Sequence, residues 1–209
     1  MTLRIVVAGT DTDIGKTVFA AGLTHLLDGV YWKPVQAGLE GETDTEIARR
    51  LSGLDRSHFL AEAWRLKLAA SPHLAAEREG LVIDPGALGL PVLERPLIVE
   101  GAGGLMVPLN RHALYIDVFA GWGLPVVLCA RTSLGTLNHT LLSVEALQRR
   151  GIPILGLALL GEPHADNERT LAALSGVRVL GRLPRLDPLT PESLRAAFGA
   201  AFRREQFVS

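Results

Sequence analysis

Several features that would tie the chain to a particular compartment or partner are scarce. The 209 residues include one cysteine, Cys129, so no disulfide can form within the chain. Because Cys129 lies in an apolar run, we expect a buried strand thiol and a reducing, cytoplasmic environment. Aromatic residues make up only 5% of the chain and are scattered, which argues against stacking on single-stranded nucleic acid. The net charge of −1, without a basic run, also argues against a nucleic-acid partner.

Membrane, targeting and metal-site patterns are absent as well. No apolar stretch approaches the roughly 20 residues needed to span a bilayer. The first residues lead directly into a predicted strand, without the basic and apolar segments of a signal peptide. The six histidines show no zinc-binding spacing, and no Gly-x-Ser-x-Gly sequence indicates a serine hydrolase. His73 is interpreted as a first-turn helical residue rather than a catalyst. We therefore predict a cytoplasmic protein with no membrane partner.

Apolar runs and helical spacings alternate along the chain. Six runs rich in Val, Ile and Leu show little polar alternation, which is typical of strands buried on both faces of a parallel sheet: residues 3–8, 30–33, 96–100, 125–130, 153–160 and 177–183. Apolar residues at i, i+4 and i+7 between these runs predict amphipathic helices. Ser71-Pro72 and Thr190-Pro191 each read as an N-cap followed by proline. The pattern predicts an α/β fold: a single doubly wound, mainly parallel sheet with helices on both faces, in one domain over residues 1–209.

The most informative motif is Gly-Thr-Asp-Thr-Asp-Ile-Gly-Lys-Thr at residues 9–17. It follows the first predicted strand and opens the first predicted helix, as a phosphate-binding loop does. Lys16 would reach the β- and γ-phosphates, and the Thr17 hydroxyl would ligate Mg²⁺. Five residues, rather than the usual four, separate Gly9 from Gly15, so the motif is a variant. The motif predicts nucleotide binding and a P-loop NTPase-like fold.

Charged residues stand at the ends of two apolar runs. Ligands of doubly wound sheets bind beyond the carboxyl ends of the strands, which is where Lys33 and Glu100 are expected to lie. A lysine there suits the oxygens of a transferred phosphoryl group, although a surface lysine is an equally weighted interpretation. A buried acid such as Glu100 must be paired or bind metal, which favours a role in organising Mg²⁺. The glycines that follow it would let backbone approach a ligand closely.

Two predicted helix starts carry polar side chains with alternative interpretations. Asp44 is a helix-starting acid, and read in isolation it is a capping carboxylate. Asn138 and His139 stand at the start of another helix, whose free N–H groups could hold a substrate carboxylate. Simple helix capping is an equally good interpretation of that pair.

Together these motifs resemble the dethiobiotin synthetase family, which catalyses the penultimate step of biotin biosynthesis. The resemblance is carried by the phosphate loop, Lys33-Pro34-Val35-Gln36, Asp44, Glu100-Gly101-Ala102-Gly103-Gly104 and Leu134-Gly135-Thr136-Leu137-Asn138-His139. It extends through Ser71-Pro72-His73 to Gly181-Arg182-Leu183-Pro184, and so covers most of the chain.

The resemblance implies a reaction, its cofactors and its partners. One amine of 7,8-diaminopelargonic acid takes up CO₂ to form a carbamate, and a carbamate oxygen attacks the γ-phosphate of ATP. The second amine then closes the ureido ring of dethiobiotin and expels phosphate from the carbamic–phosphoric anhydride. ATP and Mg²⁺ are required, and the family implies a homodimer whose interface helps to form the substrate site.

The resemblance also implies roles for individual residues. Lys16 and Lys33 are the expected catalytic residues, and Thr17, Asp44 and Glu100 the expected metal ligands. Substrate contacts are expected from Thr12, Lys33, Ala37 and Asn138. The expected nucleotide-binding residues are Asp13, Ile14, Gly15, Lys16, Thr17, Val18, Asp44, Glu100, Gly101, Ala102, Gly103, Leu160, Gly161, Pro184, Arg185 and Leu186.

Two positions depart from the family pattern. Ala37 stands where many members carry a serine or threonine, so Ala37 can offer only a contact to the substrate. Leu160-Gly161 stands where an Asn-Asp pair often hydrogen-bonds the adenine edge. Because leucine cannot read a base edge, we predict relaxed nucleotide choice, with base contacts left mainly to backbone near residues 184–186, and other nucleoside triphosphates accepted besides ATP.

Two other functions share parts of the motif set. A cobyrinate-type amide-forming ligase has a related phosphate loop and Glu-Gly-Ala-Gly stretch, but such chains usually add a glutaminase domain. A nucleotide-switched partitioning or metal-delivery ATPase typically has a second lysine near the start of the loop, and residues 10–13 hold none.

Overall fold

The computed structural model describes residues 2–208, which form eight strands and seven α-helices that alternate along the chain except where β3 directly follows β2. The strands are β1 (Arg4–Gly9), β2 (Val30–Trp32), β3 (Val35–Ala37), β4 (Trp64–Leu66), β5 (Leu97–Gly104), β6 (Val126–Arg131), β7 (Ile154–Leu160) and β8 (Val179–Leu183). The helices are α1 (Lys16–Leu27), α2 (Asp44–Ser52), α3 (Pro72–Arg78), α4 (Tyr115–Trp122), α5 (Thr136–Arg149), α6 (Ala165–Ser175) and α7 (Pro191–Ala201).

Six strands form one parallel sheet in the order β2-β5-β1-β6-β7-β8. The first strand lies in the interior of this sheet. The strands β2 and β5 lie on one side of it, and β6, β7 and β8 lie on the other. The six apolar runs of the sequence correspond to these six strands. The predicted doubly wound, mainly parallel sheet is therefore confirmed.

Alternating side chains of the strands build two apolar cores, one on each face of the sheet. Ile5, Val7, Tyr31 and Ile98 point to the face that α1, α2 and α7 cover. Their neighbours Val6, Trp32 and Val99 point to the other face, under α3, α4, α5 and α6. Cys129 is fully buried, as predicted, and burial raises the pKa of its thiol.

Two predictions about strands were incomplete. The short strands β3 and β4 pair with each other in a second, two-stranded parallel sheet that was not predicted. The strand that contains Glu100 does not end there but continues to Gly104, which pairs with Gly9 of β1. The glycines after Glu100 are thus strand residues, because strands pair through backbone hydrogen bonds, which glycine can form.

The helix starts agree with the caps read from the sequence. Ser71 precedes α3 and Thr190 precedes α7, each followed by proline, and the Thr190 side chain accepts a hydrogen bond from the backbone of Ser193. His73 lies in the first turn of α3, where its N–H donates to the carbonyl of Pro108 at 3.2 Å. Among the helices of residues 2–208, none combines the length and apolar character that crossing a bilayer requires.

Candidate active site

The phosphate loop joins the end of β1 to the start of α1. Gly15 has a φ of +94° and Asp13 a φ of +52°, so the loop uses left-handed backbone at two positions. The first glycine of the motif is required for space. A Cβ on Gly9 would lie 2.8 Å from Cδ of Lys16 and 2.9 Å from Cδ1 of Ile14. The loop thus wraps closely around the stem of its own lysine.

Lys16 is buried beneath the loop and is only 6% exposed. Its ammonium donates to the carbonyl of Asp11 at 2.9 Å. Burial lowers the pKa of Lys16, the nearby Glu100 carboxylate opposes that shift, and the charge of Lys33 adds to it. Burial removes water from the Lys16 ammonium and so destabilises its charged form. The negative charge of a bound triphosphate would offset that loss.

Lys33 lies directly after β2 and forms salt bridges with two carboxylates. Its Nζ is 3.0 Å from Oε1 of Glu100 and 2.5 Å from Oδ2 of Asp44, and it also donates to the carbonyl of Gly101 at 3.2 Å. Burial alone would lower the pKa of Lys33, but the two carboxylates outweigh burial and raise it. Lys33 is therefore a fixed positive charge. The interpretation of Lys33 as a surface lysine is wrong, since it is 3% exposed.

Two of the three lysines of the chain are thus buried at one place, the C-terminal edge of the sheet beside α1. Glu100 connects them. It is fully buried, its Oε1 accepts hydrogen bonds from Thr17 Oγ1 at 2.9 Å and from Lys33, and its charge acts on Lys16.

Asp44 is the first residue of α2 rather than its cap. The preceding Thr43 caps the helix in a reciprocal capping box with Glu46, so the interpretation of Asp44 as the capping carboxylate is wrong. With capping supplied by Thr43, the Asp44 side chain is available to Lys33. The amide oxygen of Gln36 accepts from the Asp44 N–H at 3.3 Å and ties the helix start to β3.

The donor set around Glu100 fits a magnesium ion that is shared with a triphosphate. Thr17, Asp44 and Glu100 supply one hydroxyl and two carboxylates, all hard oxygen donors, on the two sides of the Lys33 ammonium. Mg²⁺ is commonly held by one or two carboxylates together with phosphate oxygens and water. Within residues 2–208, no group of three or more His, Cys, Asp or Glu side chains offers a self-sufficient metal site.

A cleft of about 640 Å³ opens on the other side of the phosphate loop, over the ends of β6, β7 and β8. It brings together residues from three distant parts of the sequence that were predicted to bind nucleotide: Asp13, Ile14, Gly15, Val18, Leu160, Gly161, Pro184, Arg185 and Leu186. Sequence reasoning missed other residues of its wall, among them Arg131, Thr132, Ser133, Glu162, Leu183 and Leu189. The volume and the mostly apolar wall suit a nucleoside.

The backbone of Gly161 is already engaged inside the protein. Its N–H donates to the carbonyl of Leu183 at 3.0 Å, and its carbonyl accepts from Arg182 Nη1 at 2.8 Å. Gly161 has a φ of +129°, a conformation that side-chain-bearing residues rarely adopt, and a Cβ there would lie 2.5 Å from Oγ1 of Thr132. This turn therefore could not carry an aspartate without rearrangement.

A second cleft, of about 420 Å³, lies beside Thr12 between the phosphate loop, the end of β5 and helix α5. Met106 and Leu142 line it and are half exposed, at 50% and 57%. Gly103 faces this side, since a Cβ on it would lie 3.3 Å from Oγ1 of Thr12. Gly101, Ala102 and Gly103 therefore lie by Lys33 and Thr12, and they do not line the base-sized cleft.

Two of the predicted substrate residues lie apart from both clefts. Asn138 is exposed in the first turn of α5 and lines neither of them. The capping interpretation of Asn138 and His139 is wrong, because Gly135 is the N-cap and no side chain within residues 2–208 caps the helix. Ala37 lies in β3, one residue after Gln36, and is half-buried.

Two further residues of the site were not predicted. The hydroxyl of Tyr31 donates to Oε2 of Glu100 at 2.8 Å. Arg131 ends β6 and reaches across the phosphate loop to the Asp11 carboxylate at 2.8 Å and the Thr12 carbonyl at 3.1 Å. Arg131 could have been found by the reasoning applied to Lys33, since it ends an apolar run. Tyr31 gives no such signal, because an aromatic residue in an apolar run reads as core.

Comparison with known proteins agrees with this geometry. Residues 3–193 match the family described as an AAA domain. A ParA family ATPase from Chlorobium tepidum TLS superposes with a TM-score of 0.57 over 99% of this chain and 94% of its own, at 12% identity, a likeness of fold alone. The fold, the phosphate loop and the family match define the chain as a P-loop nucleotide-binding protein.

Closer relatives define the particular family. The ATP-dependent dethiobiotin synthetase BioD of Rhodopseudomonas palustris (strain BisB18) is 61% identical over 209 residues, which cover 100% of both chains. The enzyme of the same name from Rhizorhabdus wittichii is 59% identical over 208 residues, again 100% of both. The chain belongs to the ATP-dependent dethiobiotin synthetase family, and the resemblance drawn from its motifs is confirmed.

Proposed function

We propose that the chain is an ATP-dependent ligase of biotin biosynthesis that converts 7,8-diaminopelargonic acid and CO₂ to dethiobiotin. The observation that carries this proposal is the convergence of Lys16, Lys33, Asp44 and Glu100 at one edge of the sheet, in a chain 61% identical to a dethiobiotin synthetase. The relatives favour this function over an amide-forming ligase or a partitioning ATPase.

The phosphate loop would hold the triphosphate of ATP. Its backbone N–H groups and the start of α1 offer donors and a positive partial charge to the phosphates. The buried ammonium of Lys16 would then exchange its carbonyl partner for phosphate oxygens. The base would lie in the cleft between Gly15, Leu160 and residues 184–186.

Thr17, Asp44 and Glu100 are the residues that would hold Mg²⁺. When bound, the ion neutralises charge on the β- and γ-phosphates. Lys33 would stay between the two acids and direct its positive charge to the transferred phosphoryl group. Phosphoryl transfer needs positioning and charge neutralisation more than covalent help from the protein, and the two buried lysines would supply both.

The diamine would occupy the second cleft, beside Thr12. The loop backbone there would meet the carbamate, while the apolar wall of Met106 and Leu142 would contact the alkyl chain. Those two side chains are half exposed, and Leu134 at the start of α5 is fully exposed, as expected where a second copy packs. A homodimer would bring the partner's α5 start, with Asn138, towards the substrate carboxylate. Ala37 would contribute only a contact. The chain would act as one domain, in the cytoplasm.

Release of phosphate with and without each substrate tests the function. Purified protein with Mg²⁺ and ATP is expected to release phosphate only when 7,8-diaminopelargonic acid and bicarbonate are both present, with dethiobiotin formed in equal amount. Hydrolysis of ATP that does not need the diamine would contradict the proposal and favour a nucleotide-switched ATPase.

Nucleotide choice is expected to be relaxed. The position of an adenine-reading pair holds Leu160, which has no polar side-chain atom, and a Gly161 whose backbone groups are already bonded, so this pair offers the base edge no hydrogen bond. We expect kcat/KM for ATP, CTP and GTP to differ by less than the about 1–3 kcal/mol that one specific base-edge pairing provides. Leu160→Asn is the matched variant, and we expect it to raise the preference for ATP. A stronger preference for ATP in the unaltered protein would contradict this prediction.

A further inference from the structure

The registers of β2 and β5 put the side chains of Tyr31, Lys33 and Glu100 on one face of the sheet. Tyr31 of β2 lies opposite Ile98 of β5, and both belong to the core under α1. Side chains on one strand return to the same face every two residues. Lys33 and Glu100 therefore follow Tyr31 and Ile98 on that face, and Tyr31 lies one step deeper in the sheet than the two charged residues.

The two oxygens of Glu100 have different partners. Oε1 faces the proposed metal and phosphate site, where it accepts from Thr17 and Lys33. Oε2 faces the core, where it accepts from the hydroxyl of Tyr31 at 2.8 Å. A carboxylate has about four lone-pair sites, so three bonds fix its plane and still leave one site for a further ligand.

The single proton of the Tyr31 hydroxyl is donated to Glu100, and the ring of Tyr31 is fully buried. Tyr31 thus holds the Glu100 carboxylate through Oε2 and leaves Oε1, which faces the proposed phosphate site, to other partners. Groups that hold a metal ligand in this way affect metal affinity or activity by about 10–100-fold when they are removed.

We propose that Tyr31 is a positioning residue for magnesium-dependent nucleotide binding, acting by fixing the orientation of the Glu100 carboxylate. Tyr31 does not touch substrate. It sets which oxygen of Glu100 faces the phosphates and holds that oxygen there before ligands bind. This inference rests on the proposed function, because it needs Glu100 to act through Mg²⁺ at the triphosphate.

The chain supplies a matched control. Its second tyrosine, Tyr115, is also fully buried, but its hydroxyl has no hydrogen-bond partner among residues 2–208. Tyr31→Phe and Tyr115→Phe each remove one buried hydroxyl from a core, so both variants test the loss of an oxygen atom. Only the first variant releases Glu100.

The first measurement is the affinity for a non-hydrolysable ATP analogue, by calorimetry, in EDTA and in Mg²⁺. We expect Tyr31→Phe to bind the analogue as the unaltered protein does in EDTA, but to lose about tenfold or more of the affinity that Mg²⁺ adds. In turnover assays the half-saturating Mg²⁺ concentration rises by a similar factor, while KM for the diamine is unchanged. Tyr115→Phe is expected to match the unaltered protein in every measurement.

A second measurement does not depend on how well Tyr31→Phe folds. In Tyr115→Phe protein made with 3-fluorotyrosine, a single fluorine resonance reports Tyr31. With the analogue already bound in EDTA, addition of excess Mg²⁺ is expected to shift that resonance. A resonance that ignores Mg²⁺ would overturn the inference, as would equal losses of affinity in EDTA and in Mg²⁺, or the same loss in Tyr115→Phe. If Mg²⁺ adds no affinity even in the unaltered protein, the proposed function itself fails.

Discussion

Replacing Lys33 by alanine is expected to lower turnover by about 10²-fold or more, the scale of one group that stabilises developing charge in a transition state. Lys33 Nζ contacts Glu100 and Asp44 and would face the transferred phosphoryl group, so its removal takes a positive charge from the reacting centre. The measurement is release of phosphate and formation of dethiobiotin at saturating ATP, diamine and bicarbonate.

Loss of folding has to be separated from loss of chemistry in this variant. Removing one partner from a buried ion pair can cost about 3–5 kcal/mol of stability, because the remaining charge stays buried and unpaired. Lys33→Gln keeps a hydrogen-bond donor for the two carboxylates, so it should fold better while losing as much activity. Lys67, the remaining lysine, is exposed, and Lys67→Ala controls for the loss of a positive charge as such. Unchanged turnover in folded Lys33→Gln would rule out a catalytic role for Lys33.

Lys16→Met is expected to lower turnover by about 10²-fold or more and at the same time to stabilise the nucleotide-free protein. Methionine retains most of the buried stem but cannot bind phosphate. Burial lowers the pKa of Lys16 below its usual 10.5, so the folded protein disfavours the protonated lysine relative to the unfolded chain. Removing the charge removes that cost, and we expect a higher midpoint of thermal unfolding at neutral pH.

The pH dependence of this stability difference follows from linkage. Between the lowered pKa of Lys16 and 10.5, the unfolded chain binds more protons at this residue than the folded protein does. The contribution of Lys16 to the free energy of unfolding therefore rises with pH through this window. The advantage of Lys16→Met should be full below the window and should shrink as pH rises through it. Denaturant titrations of both proteins at several pH values measure this difference, and a gap that widens with pH would contradict the assignment.

The parts of the structure that could be predicted from the sequence are those in which one pattern decides the outcome. The six apolar runs became the strands of the main sheet because continuous burial needs continuous apolar sequence. Residues 9–17, Lys33 and Glu100 could be predicted as neighbours because the carboxyl ends of parallel strands share an edge. The residues expected around the base came from the family resemblance instead, and they line the cleft over the ends of β6, β7 and β8.

Other features depend on contacts that no local pattern encodes. The strands β3 and β4 have three residues each with a polar residue at the centre, Gln36 and Arg65, so neither forms an apolar run like that of β2. They pair only because the chain brings them together. The cap of α2 was a different kind of error, because the spacing of Thr43 and Glu46 is the local pattern of a capping box and was overlooked. Tyr31 was missed because its ring is a core side chain, while its hydroxyl serves a residue 69 positions away.

The order of the strands divides the nucleotide site into two halves. The walls of the base-sized cleft come from the phosphate loop and from the segments that follow β6, β7 and β8. Lys33 follows β2, Glu100 lies in β5, and Asp44 begins α2. Between them runs β1 with its loop, which both halves share. Drift among the wall residues can therefore change which nucleoside triphosphate drives the reaction while the chemistry of ring closure is inherited intact. The preferred nucleoside triphosphate and the catalytic residues can therefore change independently of each other in evolution.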